Sequence, residues 1–393
     1  MRTRIDNLTV YDGINGKFNN TSIVFDETAI IAIGPAANNS EADNIIDGKG
    51  LICMPGLVNS HVHLSIDGEP NMNTQILREN EADAAYAALR NAYMQVSSGV
   101  VSVRDMGAKY NVTISLRNAI DRGLFEGPRI YSSGEVICMT GGHGNLFGIE
   151  ADGEDEIRKV ARKQIKLGAN LLKVMATGGG QSPGMKAGAT QLIEDEIRVI
   201  CDEAKKAGRT TAAHAQGKEG VLNCVNAGIS SIEHGVYLDD EVVGIMKEKG
   251  VYLCATLLSP YYVTLKGIEA GIPAYAVNKC LEQVGPHWES FTRAYKAGVK
   301  ILAGNDAGTP FNFHDDFPNE LIKMVELGMP VREVIKSATY NPAECLGMLD
   351  KTGSVEVGKW ADLTIIDGDP EIDVNNFKNV KFVYKNGQCI FKK

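Results

Sequence analysis

Five residues of metal-binding type, His61, His63, His214, His234 and Asp306, stand one by one where apolar segments end, and Lys173 sits among them inside an apolar run. The stretch Gly56-Leu57-Val58-Asn59-Ser60-His61-Val62-His63 closes on two histidines at alternate positions. Residues i and i+2 of a β-strand face the same side, so His61 and His63 can reach one ion together. Lys173 in ANLLKVMATGG, His214 in TTAAHAQG, His234 in SSIEHG and Asp306 in ILAGNDAG follow short apolar runs and precede glycine-containing turns. A lysine in such a run is costly as a cation and must be neutralised or paired. Imidazole and carboxylate are the usual zinc ligands, and a catalytic site keeps a position open for water. Together these residues predict a hydrolase with a metal centre.

Such residues need a scaffold that brings strand ends to one place. Between residues 56 and 345, β-rich runs alternate with amphipathic stretches. The runs are GLVNSHVHL, GVVSVRDMG, PRIYSSGEVICM, ANLLKVMATGG, RTTAAHAQG, ISSIEHG, VYLCATLL and VKILAGNDAG. Helical patterns such as EDEIRKVARKQIKLG and EDEIRVICDEAKKAG carry acids early, lysines late and a terminal glycine. Strand–helix alternation on this scale predicts an α/β fold, a (β/α)8 TIM barrel, whose chemistry sits at the carboxyl ends of its strands. A doubly wound open sheet would gather its ligands at one switch point, not on strands one, four, five, six and eight.

The termini read differently. Residues 1–55 and 352–393 hold short alternating strands punctuated by Gly, Asp and Asn. Neither end has the apolar surface to fold alone, so both together are expected to build a small β-sandwich domain, with 56–351 as the barrel. The chain has 393 residues, ample for this arrangement, and 44 % hydrophobic with 23 % charged residues is ordinary for a globular protein. A net charge of −9, spread without blocks, disfavours nucleic acid as a partner. The eight cysteines form no CxxC pair and read as reduced thiols of a cytoplasmic protein. No stretch has the length and apolarity of a membrane span or a secretory leader.

If Lys173 is held neutral, its amine can react with CO2 to form a carbamate, a long bidentate anion able to bridge two ions. His61, His63 and Asp306 would then serve one ion, and His214 and His234 the other. Two ions bring a shared water toward neutrality and polarise a scissile carbonyl. Asp306 is placed to carry the proton from that nucleophile to a departing amine. Taken singly, a histidine on an apolar strand is more often core than ligand, a lysine snorkels or pairs, and Asp306 before Ala-Gly caps a helix. All six positions fall at the same end of their segments, and that joint pattern favours a metal site. His143 in MTGGHGN and Tyr237 in EHGVYLDD fall at the expected barrel mouth. There they serve either as hydrogen-bond donors to a substrate or as plain loop residues. Arg104 and Asp105 read as an internal ion pair, Tyr261 and Tyr262 as a pocket wall or packing, and His287 and His314 receive no role.

PGLVNSHVHL, KVMATGG, HAQG, IEHG, AGNDAG and the C-terminal GSVEVGKWADLTIID resemble the metal-ligand and closing motifs of the amidohydrolase superfamily, over essentially the whole chain. MTGGHGN, ATGGG and SIEHG are most similar to its imidazolonepropionase-related branch. That branch includes Xaa-Pro dipeptidases (prolidases), carboxypeptidase-like enzymes acting on basic C-terminal residues, and some N-acyl amino acid hydrolases. The resemblance implies two Zn2+ per chain bridged by carboxylated Lys173, with His61, His63, His214, His234 and Asp306 as further ligands. It also implies that His143 and Tyr237 hold a substrate α-carboxylate. Mononuclear deaminases and imidazolonepropionases lack the strand-four lysine, so Lys173 argues against both.

The expectation is therefore a dipeptidase- or N-acyl-amino-acid-hydrolysing enzyme, with proline among the C-terminal residues it accepts. It would act on a small molecule, without nucleic acid or membrane, and fold analogy alone points to a homo-oligomer. The rivals are a cyclic amidase on the same centre, which needs no free carboxylate, and a non-catalytic scaffold, which has no reason to keep a buried lysine beside a strand-end aspartate. The loop GGGQSPGMKAGATQ does not by itself define a substrate preference.

Overall fold

Four of the five apolar runs that end in candidate ligands become short, almost wholly buried parallel strands. The structure, a computed structural model, describes residues 1–14 and 16–393. Leu57–Val62 pairs with Val100–Asp105, which pairs with Arg129–Ser132. The strand pairing stops after Ser132 and resumes at Val136–Cys138, which leads through Leu171–Met175, Thr210–Ala215 and Ser231–His234 to Tyr252–Cys254, all parallel. The expected third barrel strand is thus two pieces, one bonded to each neighbour. Burial on both faces explains why these segments read as near-continuous Val, Ile, Leu and Ala runs and not as alternating ones.

Segment 300–307 closes the ring. Leu302 N donates to Leu253 O at 2.8 Å, Ser60 N to Ala303 O at 2.8 Å and Asp306 N to His61 O at 2.9 Å. Its pairing consists of isolated bridges, Leu253 with Ile301 and Val62 with Ala307, where the sequence predicts a regular strand. Close approach is the reason: a Cβ on Gly304 would lie 2.7 Å from both His61 N and Cys254 Sγ.

The helices that cover the barrel follow their sequence signals. Gly153–Leu167 and Glu194–Lys206 start on acids, end on lysines and turn Ile157, Ala161, Ile197, Ile200 and Ala204 inward. Each fully buried isoleucine is worth about 1.5–3 kcal/mol, which outweighs the modest helix propensity of such segments.

Among the described residues, eight strands from the two ends make one mixed sheet: Thr3–Tyr11, Lys17–Phe25, Ile30–Ile33, Asn44–Asp47, Leu51–Pro55, Leu363–Asp367, Val380–Lys385 and Gln388–Lys392. It bends at the first strand, whose residues 3–6 pair with Asn44–Asp47 and whose residues 9–10 pair with Leu51–Pro55. Ile5, Leu8, Ile23, Phe25, Cys53, Leu363 and Ile365 fill its interior. Thr364 Oγ1 accepts from Leu57 N at 3.1 Å and donates to Gly99 O at 2.6 Å. Those residues begin barrel strands one and two, so the sheet lies at the end away from the candidate ligands. Seven cysteines are buried, Cys389 is exposed, and all eight are free thiols. Among the described residues, no helix is long and apolar enough to cross a membrane.

Candidate metal centre

His61 lies in the first strand and His63 just beyond it, with ring centroids 5.4 Å apart. Lys173 lies in Leu171–Met175, His214 in Thr210–Ala215, and His234 ends Ser231–His234. Asp306 comes from the closing segment, and its Oδ1 is 3.4 Å from both His61 Nε2 and His63 Nε2. The rings of His214 and His234 are 4.4 Å apart, and those of His61 and His234 5.1 Å. His61, His234 and Asp306 each offer a ligand atom within 4.8 Å of the others. All six side chains are buried and share the carboxyl end of the barrel.

Three histidines have one ring nitrogen committed. His61 Nδ1 meets Glu233 Oε2 at 2.8 Å, and His63 Nδ1 meets Gly107 O at 2.9 Å. His234 Nδ1 meets Thr256 Oγ1 at 2.7 Å, while that hydroxyl donates to Ala255 O at 2.6 Å. Carboxylate and carbonyl only accept, and the Thr256 hydrogen is already used, so each Nδ1 must carry the proton. Every one of these Nε2 atoms is then a bare lone pair. Among the described residues, His61 Nε2, His214 Nε2 and Lys173 Nζ are buried without a hydrogen-bond partner. Buried polar atoms are almost always satisfied, so three such atoms at one spot are suited to ligate a further group. Divalent metal fits this donor set.

The electrostatics point the same way. Burial, and then Lys173, holds His63 down to about 4 and His61 well below the ordinary histidine value. Burial is also the main cause for His214 and His234, with neighbouring histidines next. Burial lowers Lys173 to about 8, against the pull of Glu233 and Asp306. Asp306 is pushed up to about 6 by burial, opposed by a hydrogen bond from Ser259. Neutral imidazoles and a readily deprotonated amine are the forms that ligate or become carboxylated. His234, Thr256 and Asp306 have φ of 73°, 58° and 59°, a left-handed conformation uncommon for such residues. Backbone strain of this kind gathers at functional sites.

Sequence reasoning missed Glu233. Its carboxylate receives Arg104 Nη2 at 2.7 Å and Ser231 Oγ at 2.5 Å, besides His61. Arg104 Nε donates to Ser60 O at 2.8 Å. The expected Arg104–Asp105 pair is therefore corrected: adjacent strand residues point to opposite faces. Asp105 instead accepts from Leu64 N and Thr113 Oγ1, both at 2.9 Å. A charge inside the apolar run SSIEHG was the available signal, the same one that singles out Lys173. The guanidinium also occupies Glu233, so the neighbouring His61–Glu233–Cys254 group does not suit a cation.

Above the centre lies a narrow cavity of about 60 Å3, bordered by His63, Lys173, His214, His234, Asp306 and His143. The His143 ring is 4.2 Å from that of His214, and its Nδ1 meets Ser182 Oγ at 2.7 Å. A Cβ on Gly179 would fall 2.5 Å from this imidazole, so the loop after strand four can cover His143 only with glycine there. That loop is anchored by Lys279 Nζ to Ser182 O at 2.6 Å and Asn73 Nδ2 to Gln181 O at 2.9 Å. Tyr237 stands at the rim, 36 % exposed and outside the cavity lining. Tyr261 packs with its ring centroid 5.6 Å from that of Trp288, and Tyr262 Oη accepts from Asn319. His314 Nε2 donates to Ile66 O, while His287, in the cavity wall, has its Nε2 2.7 Å from Ala255 O.

The amidohydrolase family model matches residues 52–390. The ochratoxinase of Aspergillus niger is 32 % identical over 373 residues, spanning 87 % of this chain and 76 % of that protein. A Xaa-Pro dipeptidase crystallised with methionine in its active site superposes over 100 % of both chains at a TM-score of 0.93 and 32 % identity. A prolidase complexed with N-methylphosphonate-L-proline also covers 100 % of both chains, at a TM-score of 0.91 and 29 % identity.

Proposed function

The chain belongs to the amidohydrolase family and is a hydrolase acting on amide bonds, and from that premise we propose that it is a binuclear zinc enzyme cleaving dipeptides or N-acyl amino acids. The family uses a divalent metal centre and acts on small molecules. In this reading His61, His63 and Asp306 would hold one ion and His214 and His234 the other, and Lys173, carboxylated by CO2 with release of a proton, would supply a further anionic ligand. When bound, such ions supply Lewis-acid polarisation of the scissile carbonyl and a water acidified toward neutrality.

The rest falls to the protein. Asp306 takes the proton of the attacking water and delivers it to the amide nitrogen, a poor leaving group until protonated. His143 and Tyr237 hold the substrate's α-carboxylate, so that its binding energy fixes the scissile carbonyl over the centre. Glu233 and Thr256 keep His61 and His234 in the tautomer that presents Nε2. Proline is among the leaving residues this reading includes.

The observation that carries the reading is the convergence of three orphaned, buried donor atoms, His61 Nε2, His214 Nε2 and Lys173 Nζ. The test is release of free amino acid from a library of dipeptides and N-acyl amino acids by zinc-loaded protein, repeated after chelation. Hydrolysis that chelation abolishes and zinc restores is expected. A zinc-loaded protein that cleaves none of the library, or cleaves equally well without metal, contradicts the proposal.

A further inference from the structure

Two buried ionisable side chains outside the metal-type set, His287 and Glu320, are each 1 % exposed and take no part in the proposed chemistry. Both converge on the turn that follows strand Tyr252–Cys254. The parallel ladder between Ser231–His234 and that strand ends with Glu233 opposite Cys254. Just beyond, the chain turns left-handed on both sides, at His234 with φ of 73° and at Thr256 with φ of 58°. Such backbone is costly, most of all for a β-branched residue, and persists only where its surroundings hold it.

His287 lies on the helix Ala274–Ala297, and its Nε2 stands 3.1 Å from His234 O and 2.7 Å from Ala255 O. Carbonyls only accept, so Nε2 carries the proton and joins the two strands past the end of their ladder. Its Nδ1 is buried without a partner, so the ring's hydrogen bonds serve these two carbonyls alone. Glu320, on the helix Phe317–Glu326, accepts from Leu257 N at 2.8 Å and from Leu258 N at 3.0 Å. Those are the two amides after Thr256, at the start of Leu258–Lys266, where a helix supplies no acceptor of its own. Between the two holds stands Thr256, whose hydroxyl oxygen accepts from His234 Nδ1 at 2.7 Å.

We propose that His287 and Glu320 are positioning residues: they clamp the turn 255–258 from its two ends, keep the Thr256 hydroxyl on His234 Nδ1, and so present His234 Nε2 to the centre. This rests on the reading above, in which His234 is a ligand of the second ion.

Competition of zinc-loaded protein against a chelator reads the affinity for each ion. Thr256→Val keeps the branched shape and drops the hydroxyl, and it should weaken one of the two ions roughly ten- to a hundredfold. His287→Leu and Glu320→Gln should each weaken the same ion by about fivefold or more. On a Thr256→Val background each should add less than about twofold, because their effect passes through that hydroxyl. His287→Gln returns an N–H donor to the ring's place and should stay within about threefold of wild type. In metal-free protein, Glu320→Gln should speed hydrogen exchange at the Leu257 and Leu258 amides by about tenfold, since its single carbonyl cannot serve both. Losses that multiply with that of Thr256→Val are those of a merely structural role and overturn the proposal. Wild-type affinity for both ions in folded His287→Leu and Glu320→Gln overturns it too. Should one of these variants not fold, the other decides by the same comparison. A wild type that binds fewer than two ions refutes the binuclear reading instead; the clamp is then decided by exchange, where unchanged rates at 257 and 258 in Glu320→Gln overturn it.

Discussion

Glu233→Ala removes the hub of a dry network and leaves a guanidinium stranded. Arg104 is 1 % exposed and Glu233 0 %, with 2.7 Å between them. Arg104 stays charged at any pH the fold survives, because guanidinium does not deprotonate in proteins. Removing one partner of a buried pair costs about 3–5 kcal/mol, chiefly from the unpaired charge left behind. The same substitution frees His61 Nδ1 from its 2.8 Å partner and lets the ring turn or change tautomer. Loss of such a supporting contact lowers metal affinity by roughly ten- to a hundredfold. Both quantities are measurable: urea unfolding of metal-free protein for the first, competition against a chelator for the second. The double variant Arg104→Met with Glu233→Leu separates them. It should regain most of the stability, since apolar replacements remove the stranded charge. Its metal affinity should stay low, because His61 still lacks its acceptor. A loss below about 1 kcal/mol in Glu233→Ala, or normal metal affinity in the double variant, would refute this reasoning.

Asp306→Asn keeps shape and one oxygen ligand but accepts no proton; metal should be largely retained while kcat falls by roughly two to four orders of magnitude. Near wild-type turnover of the metal-loaded variant would assign proton transfer elsewhere. His143→Asn should lower kcat/KM roughly ten- to a hundredfold for free-acid substrates and much less for their C-terminal amides. Equal cleavage of acid and amide by wild type would favour the cyclic-amidase reading. Glu203, hydrogen-bonded by Arg162 and then Lys206, is lowered to about 2 from 4.5. A depressed carboxylate contributes stability above its unfolded value, lost as pH falls through its folded value. Glu203→Gln should therefore cost about 1 kcal/mol at neutral pH, discounted because both cations are largely exposed. The gap should close between pH 4.5 and 2, as urea midpoints at stepped pH would register.

The barrel and the six candidate metal residues were legible because each carries a local signal. Strand-end histidines, a lysine in an apolar run and an aspartate before Ala-Gly all sit next to the elements that position them. Glu233 and Arg104 carried half a signal. Each is a charge in a buried strand, yet their pairing joins strands two and six, and only closure of the ring brings those together. Reading Arg104 with its sequence neighbour Asp105 overlooked the alternation of faces along a strand. The 2.8 Å hydrogen bond from Gln283 Nε2 to Gln216 Oε1 was illegible, since neutral glutamines near a turn and within a helix look like surface residues. The closing segment departs from a regular strand because Gly304 and Asp306 need close approach and a left-handed backbone, which its apolar pattern does not disclose.

Metal stoichiometry tests the central claim most directly, through Lys173. Elemental analysis of zinc-loaded wild type and Lys173→Ala, with the density of the loaded wild-type crystal, reads both the count and the bridge. The account predicts two ions per chain in wild type and three extra atoms beyond Lys173 Nζ touching both. It predicts loss of most metal in Lys173→Ala. Two ions beside an unmodified lysine, or an undiminished metal content without Lys173, would contradict it.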